Sequence, residues 1–253
     1  MAHQANIIAV AGKGGVGKTS VSAAIVRLLA EQHPGASILA VDADPAVGLS
    51  TALGVEVTDT LDDIRKRIVE NASKGETRAA IELLSEARFR LVDTLVEEAK
   101  FAFLAIGRPE AAGCYCTVNA YLKEVISLLA NDFDYVVIDG EAGVEQVNRR
   151  VMEKVTHLLL VSDQSRKGVQ VLGTIKRVAD ELVMYERVGA IINRVTNPEL
   201  NACISVPGVE VLAFIGADPY LAEGDIQGRS VFSLPAGSNM LRGVGEALRK
   251  MGL

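Results

Sequence analysis

Short runs of β-branched and other aliphatic residues alternate along this chain with longer stretches whose apolar positions recur at helical spacing. Ile7–Ala11, Ile38–Val41, Phe101–Ile106, Tyr135–Ile138, His157–Val161, Arg187–Ile192 and Val211–Ile215 read as strands. Lys18–Glu31 reads as a helix that follows a glycine-rich loop. Thr60 is placed to cap a helix beginning near Leu61, with Ile64, Ile68 and Val69 on one face. Residues 76–99 carry Ile81, Leu84, Leu91, Leu95 and Val96 at helical spacing, and a further helix is expected from Asn119 to Ala130. Residues 168–184 and 197–203 read as helical or loop-like. In residues 239–252, Met240, Val244, Leu248 and Met251 share one face, as in a helix packed on a sheet. Alternating strands and helices imply right-handed crossovers. The expected fold is a doubly wound α/β domain with a mostly parallel sheet of about seven or eight strands and helices on both faces. No Pro/Ser-rich linker, repeat or low-complexity tract divides the chain, so residues 1–253 are expected to form one domain. The stretch 56–100 is its least constrained part and suits a small helical excursion.

Composition narrows the picture. The chain is long enough to bury a sizeable core, and its apolar residues are aliphatic, with 4% aromatics and no Trp, as a covered parallel sheet requires. A net charge of −6, from 26 basic and 32 acidic residues, argues against a nucleic-acid partner, which needs a concentrated basic field. No apolar run approaches the roughly 20 residues that span a bilayer. The N-terminus runs into a strand without a basic, apolar and cleavage-site sequence, so the expected setting is cytoplasmic with no membrane partner. The three cysteines are too few and too unevenly spaced for a disulfide framework.

The chemistry begins at Gly12-Lys13-Gly14-Gly15-Val16-Gly17-Lys18-Thr19, a full G-x-x-x-x-G-K-T pattern between an apolar strand and an amphipathic helix. Its glycines let backbone N–H groups wrap a β-phosphate, and the helix N-terminus adds a positive dipole end. The expected ATP contacts are Gly12, Gly14, Gly15, Val16, Gly17, Lys18, Thr19 and Ser20. Lys18 would reach the β- and γ-phosphates, and the Thr19 hydroxyl would coordinate Mg²⁺. Tyr135-Val136-Val137-Ile138-Asp139 is an apolar strand ending in a carboxylate, the Walker B arrangement, with Asp139 touching Mg²⁺ through water.

Lys13, a second lysine early in the loop, gives the form K-G-G-V-G-K-T, in which the chain resembles the deviant Walker A ATPases that include the MinD and ParA proteins and the nitrogenase iron protein. The resemblance implies a slow ATPase that dimerises with ATP, Lys13 reaching the partner's nucleotide as an arginine finger does. It also implies a first switch at Asp42-Ala43-Asp44-Pro45, with Asp42 near the Mg²⁺ shell and Asp44 orienting the attacking water. Asp139 to Gly143 fits the family's D-x-x-A-G second switch, in which Gly143 donates its N–H to the γ-phosphate. Asn193-Arg194 and Asp218 stand where the family approaches adenine.

The run Gly107-Arg108-Pro109-Glu110 and then Gly113-Cys114-Tyr115-Cys116, continuing to Asn119, is not general among those ATPases. It resembles the CooC and AcsF nickel-insertion ATPases of carbon monoxide dehydrogenase and acetyl-CoA synthase maturation. Thiolates are soft ligands that suit Ni²⁺ or Zn²⁺. One C-x-C pair supplies two sulfurs, and a two-fold axis near residue 115 would gather four. The resemblance thus implies an ATP-dependent homodimer holding Ni²⁺ or Zn²⁺ between Cys114 and Cys116 of both subunits, with one of those two enzymes as client. A MinD-like positioning ATPase, a ParA-like DNA partner and an iron–sulfur assembly scaffold are the competing readings. Cys203 stands alone and reads as structural, and His157, in an apolar strand, as a satisfied core or strand-edge histidine.

Overall fold

The computed structural model describes residues 5–44, 48–64, 66–67, 94–107, 127, 129–142 and 154–253. Among them, eight strands form one sheet: β1 (Asn6–Gly12), β2 (Ile38–Asp42), β3 (Val96–Glu97), β4 (Ala102–Ala105), β5 (Tyr135–Ala142), β6 (His157–Ser162), β7 (Arg187–Val195) and β8 (Glu210–Gly216). Their order is β3-β4-β2-β5-β1-β6-β7-β8, and every pairing is parallel except β3 with β4. The described helices include α1 (Lys18–Gln32), α2 (Gly48–Leu53), α3 (Arg166–Leu182), α4 (Pro219–Gln227) and α5 (Asn239–Met251), and residues 61–64 and 66–67 are helical where a helix was expected from near Leu61.

The two faces of the sheet explain the continuous apolar runs. Along β1, Ile8 and Val10 point to one side and Ala9 and Ala11 to the other, and all four are buried. The first side packs on α1 through Val21, Ile25 and Leu29, and on α5 through Val244 and Leu248. The second packs on α3 through Leu172, Ile175 and Ala179. Each large aliphatic side chain so buried contributes on the order of 1.5–3 kcal/mol. α5 begins at Ser238, whose hydroxyl accepts from Leu241 N–H, and ends at Gly252 in the left-handed region. Met240, Val244, Leu248 and Met251, the apolar face expected from the sequence, are all buried against the sheet and α1.

The strands expected from the sequence are all present, with shifted ends. β5 runs on to Ala142 and β7 to Val195, so each carries its polar signature on the strand. One expectation fails: Leu95 and Val96 do not continue a helix. Val96–Glu97 instead pairs antiparallel with β4, Val96 opposite Phe103, where a β-branched side chain covers an aromatic ring better than another helical turn would. Residues 68–93, with Ile68, Val69, Ile81, Leu84 and Leu91, lie outside the described residues, as does the helix expected from Asn119 up to residue 126; Leu129 and Ala130 at its end are helical. Residues 197–203 form a 3-10 turn capped by Asn197, and Cys203 in it is exposed and so packs in no core. His157 is buried, with Nδ1 2.7 Å from the Thr156 hydroxyl, and burial lowers its pKa. Among the described residues no helix is long and apolar enough to cross a membrane.

Candidate nucleotide site

The carboxyl ends of β1, β2, β5, β7 and β8 deliver the polar residues that the sequence singled out to one edge of the sheet. β1 hands the chain to the loop at Gly12, where a Cβ would stand 2.1 Å from the Val161 carbonyl oxygen. Only glycine lets the two strands approach so closely there. Gly17, at φ 89°, caps the N-terminus of α1, and a Cβ on it would meet Asn193 Nδ2 at 2.6 Å. Lys18 is buried, and its Nζ reaches back to 3.3 Å from the Lys13 carbonyl oxygen, across the mouth of the loop. Val16 is buried beneath the loop, and Gly14 and Gly15 are exposed above it.

Two carboxylates lie under this loop as register partners, Asp42 on β2 and Asp139 on β5. Asp139 is 1% exposed; its Oδ1 accepts from the Ser22 hydroxyl at 3.0 Å, and Thr19 also bonds to the carboxyl group. Its Oδ2 has no hydrogen-bond partner. Burial raises the Asp139 pKa to about 6, against the bonds from Thr19 and Ser22 and the Lys18 charge. Asp42 is fully buried, accepting from Leu49 N–H at 2.8 Å and from Asp44 N–H at 3.1 Å. Burial, then the Asp139 charge, raises its pKa to about 7. Asp44 is half-buried beside the pair and close enough for its charge to raise both. A buried oxygen without a partner, beside a second carboxylate and a threonine hydroxyl, is a donor set of the hard, oxygen-only kind that suits Mg²⁺.

A cavity of about 220 Å³ opens on the other side of the loop, walled by Gly17, Ser20, Asn193, Arg194 and Asp218. Asn193 is buried, and its amide donates to the Val16 carbonyl at 2.8 Å, tying β7 to the phosphate loop. Arg194 is exposed at φ 56°, and among the described residues it alone is a non-glycine with positive φ. The register between β7 and β8 breaks there, between Ile192 and Val195. Asp218 stands on the cavity wall with both oxygens engaged. Oδ1 caps α4 through Tyr220 and Leu221 N–H, and Oδ2 accepts from Ser238 Oγ at 2.5 Å and from Met240 N–H at 2.9 Å.

Lys13 stands at the rim and forms an ion pair with Asp163, Nζ to Oδ2 3.0 Å. Gly143, Cys114 and Cys116 lie outside the described residues. Among those described, no group of three or more His, Cys, Asp or Glu side chains is gathered to hold a metal ion. The sequence reading missed Ser22, Asp163 and the Leu49 N–H. Ser22 lies one helical turn beyond Thr19, and Asp163 follows an apolar run much as Asp139 follows Tyr135–Ile138, so both left a signal.

Similarity to known proteins agrees with this geometry. A chain from Methanocaldococcus jannaschii described as an uncharacterized ATP-binding protein is 38% identical over 250 residues, 97% of this chain and 98% of that one. The carbon monoxide dehydrogenase accessory protein CooC of Rhodospirillum rubrum is 30% identical over 200 residues, 76% of this chain and 75% of its own. The septum site-determining protein MinD of Pyrococcus horikoshii, solved with Mg-ADP, superposes with a TM-score of 0.71 at 24% identity, covering 98% of this chain and 96% of that one, and supports the fold. A family model described as the CobQ/CobB/MinD/ParA nucleotide binding domain matches residues 7–231, and with the phosphate loop and its paired carboxylates in place the chain belongs to that family of ATP-hydrolysing P-loop proteins.

Proposed function

We propose that this chain is an ATP-driven maturation factor that delivers nickel to carbon monoxide dehydrogenase or acetyl-CoA synthase. The observation that carries the reading is the Cys114 and Cys116 pair, set in the run from Gly107 to Asn119, in a chain 30% identical to CooC. Two thiolates from each of two subunits make a four-sulfur site for a soft cation. ATP then closes a homodimer that builds the site, and hydrolysis loosens the dimer and releases the metal to the client.

In this reading the nucleotide roles are those expected from the sequence. Loop N–H groups and the α1 N-terminus hold the β-phosphate, and Lys18 neutralises charge between the β- and γ-phosphates. Thr19, Asp139 and Asp42 would hold Mg²⁺, which supplies further neutralisation of the phosphates. Asp44 orients the attacking water, Gly143 donates to the γ-phosphate, and Lys13 supplies positive charge across the dimer. Ser20, Asn193, Arg194 and Asp218 wall the base pocket; because Asp218 is already saturated, the base is read chiefly by Asn193 and the backbone.

Anaerobic titration with Ni²⁺ and with Zn²⁺, with and without ATP, tests the reading when oligomeric state is followed in parallel. One metal per dimer, lost in a Cys114→Ala/Cys116→Ala variant, is the expected result. Absence of stoichiometric metal under every nucleotide condition overturns it. A positioning ATPase like the MinD relatives is the second reading, favoured by 26% identity to MinD of Bacillus subtilis over 193 residues. The buried apolar face of α5 speaks against that segment entering a lipid surface.

A further inference from the structure

The Lys13 ammonium has an acceptor in its own chain, and that acceptor is built into the fold. The ion pair with Asp163 leaves the two side chains 33% and 29% exposed. Asp163 Oδ1 is held by Ser165 N–H at 3.0 Å and by the Ser165 hydroxyl. That hydroxyl also accepts from Gly168 N–H at 3.0 Å as the N-cap of α3. Gly168 itself admits no side chain: a Cβ there would stand 2.3 Å from Asp163 Oδ1 and 2.5 Å from Ser162 Oγ. The carboxylate is therefore fixed between β6 and α3, with Oδ2 turned to the phosphate loop. Partial burial works to raise its pKa, but the bonds from Ser165 and Lys13 prevail and hold it below the ordinary carboxylate range.

A lysine held by such an acceptor is not free for a second anion. We propose that Asp163 is a resting counter-ion for Lys13, which the phosphates of a second copy's ATP must displace before the dimer closes. This rests on the reading that Lys13 acts across the dimer. The exchange swaps a carboxylate for a triphosphate, and ATP offers more charge than ADP, so the pair sets a threshold that favours closure with ATP. Asp163 is in this view a positioning residue that suppresses hydrolysis by isolated subunits.

The test compares Asp163→Asn, Lys13→Ala and the double variant by sedimentation equilibrium with ATP and by basal hydrolysis at low protein concentration. Two pairs open per dimer, so Asp163→Asn is expected to lower the half-dimerisation concentration and raise basal hydrolysis by roughly three- to tenfold. Monomer affinity for ATP should not change, and the double variant should match Lys13→Ala. Asp163→Ser must move both readouts in the same direction, and decides the matter if the Asn variant does not fold. If Lys13→Ala is impaired while Asp163→Asn is unchanged or slower than wild type, Asp163 does not restrain Lys13 and the inference is wrong. If Lys13→Ala changes neither readout, the trans role of Lys13 fails first and the inference falls with it.

Discussion

The Asp42–Asp139 pair makes the nucleotide-free protein pH-sensitive in a direction opposite to ordinary acid denaturation. Asp42 titrates near 3.8 in an unfolded chain and at about 7 in the fold. Below pH 4 it is protonated in both states and its contribution to stability is fully present. As pH rises from 4 to 7 the unfolded chain ionises while the fold resists, so stability is lost, and above 7 the loss is complete. Each pH unit in that window costs up to about 1.4 kcal/mol, about 4 kcal/mol in all. Asp139 titrates over part of the same range and shares the same field, which brings the separable share to about 2–4 kcal/mol. The perturbation is Asp42→Asn. The amide forfeits one of the two bonds, from Leu49 or Asp44 N–H, at every pH, so the slope is the readout and not the offset. Urea unfolding at several pH values between 4.5 and 7.5, without nucleotide or Mg²⁺, should show wild type losing stability relative to the variant as pH rises. Parallel curves would refute the argument, because they would mean that burial does not hold Asp42 protonated. Saturating Mg²⁺ and ATP should flatten the wild-type slope, since a cation at the pair favours ionised carboxylates.

Further outcomes follow from the same geometry. Lys18→Ala should weaken nucleotide binding and hydrolysis together, whereas Lys13→Ala and Asp44→Ala should reduce hydrolysis by about tenfold or more with affinity within a few-fold; nucleotide titration beside single-turnover kinetics separates the two patterns. Gly12→Ala should destabilise the fold by about 2–4 kcal/mol in urea melts, because its Cβ would meet the Val161 carbonyl oxygen at 2.1 Å and neither strand can retreat from the centre of the sheet. Asp218→Ala should cost about 2–3 kcal/mol, as one carboxylate caps α4 and also binds the start of α5. The Asp218 pKa lies below the usual carboxylate range: partial burial opposes this, and the bonds from Met240, Ser238, Leu221 and Tyr220 outweigh it. Its contribution is therefore present above about pH 4 and lost as pH falls, so the deficit of the variant should shrink in acid.

Strands and the phosphate loop were legible because both follow local rules. A run such as Tyr135–Ile138 is apolar at every position, and the glycines of the loop are spaced by the phosphate they wrap. Val96 was misread because a lone β-branched residue fits a helical period as well as an edge strand, and only Phe103 opposite it decides. Asp163 and Ser22 escaped because their partners are distant in sequence: Lys13 is 150 positions from the first, and Asp139 is 117 from the second. The position of Asp218 beside the loop was legible, but its saturation by Ser238 and Met240 was not, since no local pattern reports a cap shared by two helices.

The order of strands also governs how this protein is made. β1 and β2 precede the other strands in the chain, yet among the described residues they do not pair with each other: β1 pairs with β5 and β6, and β2 with β4 and β5. β2 can meet β4 earlier, but β1 waits for Tyr135–Ala142, the strand that also brings Asp139 beneath the phosphate loop. Until that strand is made, the chain therefore carries an unpaired apolar β1 and an unfinished loop that ATP cannot stabilise. Nascent chains arrested before residue 142 should be captured by hydrophobic-surface chaperones and remain protease-sensitive with or without ATP. Chains released beyond Ser162, where β6 closes the other flank of β1, should gain protection abruptly.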